Sequence, residues 1–156
     1  MRALTLITAL IFGLFIASGQ TAAAESNLRY PQMKGDDLRA VFYETKMVGE
    51  YRHFRDKTKT FNYTEYHFKN GTSDYIEGDK REDGLWKIVG DDKICYSYPG
   101  SEYFNRTYCF MVFNDDGCFY KFSQFDMTLR GPRNWDLWTS RAVRKGSGAT
   151  CAVPIG

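Results

Sequence analysis

Two histidines, four cysteines and several paired carboxylates are the side chains of this sequence with chemistry to offer. His53 stands in Tyr51-Arg52-His53-Phe54-Arg55 and His67 in Tyr66-His67-Phe68, neither with a serine or cysteine motif that would make it a general base. Catalysis would require His53, His67 and an acidic residue to converge in one cleft. The doublets Asp36-Asp37, Asp91-Asp92 and Asp115-Asp116 sit at a helix start or a tight turn, and Glu82-Asp83 precedes Gly84. Short carboxylate side chains at such places hydrogen-bond backbone N–H groups, so these residues read as caps and turns rather than as acid/base pairs. Gly146-Ser147-Gly148 lacks the strand-loop-helix frame of a phosphate loop. No catalytic residue, cofactor or metal is assigned.

Cys95, Cys109, Cys118 and Cys151 are separated by 13, 8 and 32 residues, without a C-x-x-C element. That spacing reads as a disulfide framework rather than a zinc site. Disulfides require an oxidising compartment, and the first residues supply a route to one. Met1-Arg2 is a short basic start, Ala3 to Ala17 is almost wholly apolar, and Ala22-Ala23-Ala24 offers small residues at both recognition positions. Residues 1–24 read as a cleavable signal peptide cut before Glu25, with no membrane span after cleavage, because the apolar run is shorter than the roughly 20 residues a spanning helix needs. The remaining 132 residues, with a formal charge of +1, are the size of one domain, 25–156. Their basic residues are spread along the chain, so nucleic acid is not an expected partner.

The elements that must position these residues follow from periodicity. From Lys34 to Tyr43, an acidic N-cap candidate precedes Leu38, Val41 and Phe42 at i, i+3 and i+4, one face of a short helix. Beyond Lys59 the pattern is that of strands separated by turn pairs. Asn70-Gly71 predicts a two-residue type I′ hairpin, which sets His67 opposite Asp74 and Tyr66 opposite Tyr75. Further strands are expected at Leu85 to Val89, Lys93 to Tyr98, Thr107 to Phe113, Cys118 to Phe125 and Leu137 to Arg144. The fold class is mainly β, an antiparallel meander closing into a small barrel, lipocalin-like by analogy, or folding into a sandwich. A loop centred near Glu102 places Cys95 opposite Cys109, and elimination leaves Cys118 for Cys151.

Rings are abundant, with 11 Tyr, 12 Phe and 3 Trp. They can fill a small core, or they can wall a ligand cavity for which Tyr66, Tyr75, Trp86 and Tyr96 are the lining candidates.

The run Gly84-Leu85-Trp86-Lys87-Ile88-Val89-Gly90-Asp91-Asp92-Lys93-Ile94-Cys95-Tyr96, followed by Cys109, resembles a group of small exported proteobacterial proteins that carry a domain of unknown function. Their pattern is G-x-W, then G-D, then [IL]-C-Y and a second cysteine. The likeness extends to the Asp37 to Phe42 helix, Val48-Gly49 and the Asn70-Gly71-Thr72 hairpin. It implies a bacterial source, a periplasmic or secreted location and no established activity. Cys118 and Cys151 lie outside that pattern, which leaves an unpaired or intermolecular state open for them. The function expected is non-enzymatic binding of a small apolar or aromatic ligand, or of an envelope protein. The alternative is a protein-protein module such as a cell-wall hydrolase inhibitor, with Pro99-Gly100-Ser101-Glu102-Tyr103-Phe104 as its probe.

Overall fold

A computed structural model describes residues 29–53, 56, 58–102 and 106–151. The expected signal peptide and its cut site lie outside the described residues, as do Phe54, Arg55, Tyr103, Phe104 and Asn105. One helix, α1 (Gly35–Phe42), leads into β1 (Thr45–Arg52), β2 (Thr60–His67), β3 (Thr72–Glu77), β4 (Lys80–Val89), β5 (Lys93–Ser97), β6 (Tyr108–Asp115) and β7 (Cys118–Ser123). An excursion follows, made of a 3₁₀ turn at Gln124–Asp126 and a two-stranded ribbon of β8 (Met127–Thr128) and β9 (Gly131–Pro132), before β10 (Ser140–Arg144). Of the two architectures the sequence allows, the chain adopts the barrel. Strands β1 to β7 pair antiparallel in chain order and β10 closes the ring between β7 and β1.

Alternation along each strand divides the side chains between a lumen and an outer face. Met47, Tyr63, Tyr75, Trp86, Ile94, Tyr96, Tyr98, Val112, Phe119 and Ala142 form the lumen core. Helix α1 plugs the end where β1 begins, with Leu38 and Phe42 fully buried in that core. Its N-cap is Lys34, without a side-chain cap; Asp36 and Asp37 lie in the first turn instead, where a negative charge suits the exposed N–H groups. A second cluster covers the outside of β6, β7 and β10, where Phe113, Tyr120, Phe122 and Trp138 pack with Tyr30 and Trp135. Strand β7 is therefore buried on both faces.

Both expected disulfides form, and the second closes the unpaired or intermolecular alternative left open for Cys118 and Cys151. Cys95 and Cys109 are directly opposed on β5 and β6, with Cα atoms 4.0 Å apart, and Cys118 on β7 holds Cys151 of the tail.

The hairpin at Asn70-Gly71 departs from expectation by one residue. Only Gly71 enters the left-handed region, at φ 88°, so the connection is a three-residue loop in which Phe68 pairs with Thr72 and Gly71 N–H donates to Phe68 C=O. The register is His67 opposite Ser73 and Tyr66 opposite Asp74. Because the side-chain period is two, the slip turns Asp74 outward, away from His67, and changes what the histidine meets. The two-residue hairpin with both central residues at positive φ lies instead at Asp116 and Gly117, φ 47° and 90°.

Gly84 of the G-x-W run is required by space. A β-carbon there would lie 2.5 Å from Ser73 Oγ and 2.7 and 2.8 Å from Tyr98 ring carbons. Gly84→Ala is expected to destabilise the fold by about 1–3 kcal/mol in guanidinium unfolding, since overpacked positions must displace their neighbours. An unchanged midpoint would contradict this packing.

Candidate functional site

The lumen holds the groups from which chemistry would be built. Tyr63, Glu65 and His67 project inward from β2, and Lys121 from β7. All are buried: Glu65 is 2% exposed, His67 0% and Lys121 3%. Lys121 Nζ donates to Tyr96 Oη at 2.8 Å, and Tyr96 Oη lies 3.0 Å from His67 Nε2. Tyr98 Oη donates to Glu65 Oε1 at 2.8 Å, and Tyr63 Oη meets Ser140 Oγ at 2.8 Å. The rings of Tyr96, Phe42 and Tyr63 surround the Lys121 ammonium at 4.5, 5.4 and 5.9 Å.

Burial governs the protonation of this group. It brings the Lys121 amine down to about 8, against the opposing pull of Glu65, and it raises the Glu65 carboxyl, against the pull of Lys121 and Tyr98. It lowers the His67 imidazole to about 3, with the Lys121 charge acting in the same direction. His67 is thus neutral, with Nε2 accepting from Tyr96 and Nδ1 facing Thr45 C=O at 3.4 Å. Perturbed groups of this kind mark active sites when a cleft admits substrate. Here they are enclosed by strands, rings and α1, and act as an internal hydrogen-bond network.

His53 does not join them. It follows β1 at the opposite end of the β1–β2 ladder from His67, where its Nδ1 accepts from Asp56 N–H at 3.0 Å. Of the four lining candidates, Tyr75, Trp86 and Tyr96 project into the lumen. There they meet internal partners: Tyr75 donates to Glu77 at 2.9 Å and Trp86 Nε1 to Phe68 C=O at 2.9 Å. The corrected register places Tyr66 on the outer face, beside Glu44. Nothing local in the sequence singles out Glu65 or Lys121. Their signal was strand parity with Tyr63 and Phe119, but their proximity depends on barrel closure.

An open depression lies outside the barrel. β5 pairs with β4 only over Leu85–Val89, so Lys80–Gly84 extends beyond it towards the Pro99-Gly100 turn. A groove of about 800 Å³ runs here, walled by Phe68 and Leu85, with Asp74, Arg81, Glu82 and Asp83 and with Pro99 and Gly100 at its rim. Asp74 and Asp83 are direct cross-strand neighbours, an arrangement of like charges that is unfavourable unless a cation offsets it. Arg81 supplies one, 2.9 Å from Asp74 Oδ2, while Asp74 Oδ1 is buried without a hydrogen-bond partner. Glu82 accepts from Ser101 Oγ at 2.9 Å, and Asp83 has no ion-pair partner among the described residues. The wall carries three carboxylates to one guanidinium. A smaller depression of about 230 Å³ lies between Val48, Asn62 and Arg141. Among the described residues no three His, Cys, Asp or Glu side chains gather as a metal-ligand set.

Comparison with protein-family models, with characterised proteins and with solved structures yields no match to this chain.

The neutral burial of His67 has a measurable consequence. Its folded pKa lies below its unfolded value near 6.5, so the unfolded chain binds the extra proton, and the stability present above pH 6.5 is lost as pH falls towards 3. Glu65 acts in the opposite sense: its raised pKa favours the fold in acid and loses that contribution as pH rises through the folded value. Comparing wild type with His67→Gln cancels the groups remote from the imidazole, leaving His67 and its neighbour Glu65, whose Oε2 lies 3.6 Å from His67 Nε2 and whose own contribution has the opposite sign. The difference in unfolding free energy is expected to shrink by about 2 kcal/mol between pH 7 and 4.5, and a gap independent of pH would refute a neutral buried imidazole.

Proposed function

We propose that this chain is an exported, non-enzymatic binding protein that takes a small apolar or aromatic ligand carrying a positive charge, in the groove over β3 and β4. The observation that carries this reading is the direct opposition of Asp74 and Asp83 beside the apolar side chains of Phe68 and Leu85. Arg81 pairs with Asp74, so a ligand cation pairs with the exposed Asp83, and an adjoining ring or alkyl group covers Leu85, which is 48% exposed. The groove's volume is within the range of small-molecule sites. The lumen is a weaker candidate, since Tyr75, Trp86 and Tyr96 are held by one another and by internal acceptors.

Export to a periplasmic or extracellular space belongs to the same proposal. It draws support from two disulfides, from the basic and apolar start of the sequence, and from the likeness of Gly84 to Tyr96 to exported proteobacterial proteins. Among the described residues no helix is long and apolar enough to cross a membrane. A protein partner, such as a cell-wall hydrolase, is the second reading, favoured by the exposure of Pro99 and Gly100 at the groove's rim.

Phenethylamine, an aromatic cation, is a suitable probe by ¹H–¹⁵N NMR. Shifts are expected at Thr72 to Asp74, Arg81 to Leu85 and Gly100, and they should vanish in Asp83→Lys. Shifts confined to lumen amides, or identical shifts in the variant, would overturn the proposal. In native mass spectrometry of protein purified from an envelope extract, a co-purifying small mass lost on Leu85→Asp supports it. A co-purifying protein lost on deletion of the Pro99-Gly100 turn would favour the second reading.

A further inference from the structure

The excursion between β7 and β10 is built differently from the other connections. It is braced from beneath, because Trp135 packs edge-on against Phe113, Phe122 and Tyr30 at 5.1, 5.7 and 5.2 Å, and Met127 joins the same cluster. Its ribbon is closed at the base by Arg133 N–H donating to Asp126 C=O at 2.8 Å. At the tip, Thr128 Oγ1 donates to Gly131 C=O at 2.8 Å and accepts from Arg130 N–H at 3.1 Å. The frame holds large apolar side chains out in solvent. Phe125 is 81% exposed, Leu129 at the tip is fully exposed and Leu137 is 42% exposed.

Such exposure on a braced loop differs from the scattered surface leucines of any protein, since the brace prevents these side chains from folding back. The flanking charges are cationic at the tip. Arg130 adjoins Leu129, Arg133 follows the ribbon, both are exposed, and neither has an ion-pair partner among the described residues. Of the excursion's carboxylates, Asp126 is half-buried at the ribbon's base and Asp136 lies near Arg52, whose positive charge it supports. The grooves on β3–β4 and on β1–β10 lie elsewhere, and Leu129 protrudes into solvent at the tip of the ribbon.

An excursion with Leu129 and Arg130 at its tip, Phe125 exposed next to its base, and arginines without ion-pair partners among the described residues has the chemistry of an interfacial anchor. The apolar groups enter the boundary between headgroups and acyl chains while guanidinium groups engage anionic headgroups. We propose that this excursion, through the exposed Phe125, Leu129 and Arg130, docks the protein reversibly on an anionic lipid surface. No spanning segment is involved. The β3–β4 groove is separate, so either proposal can fail without the other.

The test is co-sedimentation with large unilamellar vesicles, using the exported chain with its N-terminus read by intact mass. Binding to vesicles containing 30% phosphatidylglycerol in phosphatidylcholine is expected to exceed binding to pure phosphatidylcholine and to weaken as salt is raised. Phe125→Ser/Leu129→Ser and, separately, Arg130→Glu should each lower the apparent affinity about tenfold, with thermal melting unchanged because these side chains are exposed. Equal binding to both vesicle types, or undiminished binding by the double variant, would overturn the proposal. A photoreactive residue at position 129 supplies a second readout in envelope preparations. Crosslinks to lipid support the proposal, and crosslinks to a protein without lipid overturn it in favour of a protein partner.

Discussion

The seam between β1 and β10, where Met47 to Tyr51 pair with Arg144 to Ser140, turns a meander into a closed ring and thereby fixes the dimensions of everything inside. Eight strands leave a bore that side chains fill. Once the ring is shut, inward-facing polar groups lose water and must satisfy one another. Lys121 on β7 does so through the Tyr96 hydroxyl on β5, which in turn faces His67 on β2, and Glu65 is held by Tyr98. Without closure these side chains would sit on separate strands of an open sheet. With it, they rigidify the core.

Much of this architecture is legible in the residues, because strand alternation and turn chemistry are local. The loop centred near Glu102 places Cys95 opposite Cys109, and Leu38 with Phe42 marks the inner face of α1. What is less legible is the choice between turns of nearly equal energy. Asn70-Gly71 announces a hairpin, yet Asn70 Oδ1 accepts from Thr72 N–H and Oγ1, an arrangement that suits the three-residue loop and moves the register by one. That single step decides that His67 meets Ser73 and that Tyr66 faces outward.

The polar core and the groove are harder still to foresee. In Phe119-Tyr120-Lys121-Phe122 the lysine interrupts a strand buried on both faces, and a local pattern cannot name the acceptor that compensates it. Asp74 and Asp83 become neighbours only through the turn at Gly78 and Asp79, and neither residue is unusual in its own segment. The two disulfides lie on the same side of this divide as the turns. Each stabilises the fold by roughly 2 to 4 kcal/mol by restricting the unfolded chain, and the Cys118 to Cys151 bridge also fastens the tail to β7, opposite the excursion.

The three tryptophans occupy settings so different that the protein carries its own optical reporters. Trp86 is enclosed in the lumen, its indole N–H bound to a carbonyl and its ring edge-on to His67 at 5.2 Å. Trp135 sits among rings at the foot of the excursion, and Trp138 lies against two guanidinium groups, with Arg52 and Arg141 at 4.1 and 4.5 Å from its ring. Intrinsic emission is therefore the sum of a core indole, a rim indole and a cation-stacked indole. With two of the three replaced by phenylalanine, the remaining fluorophore reports on one region alone, without an added label.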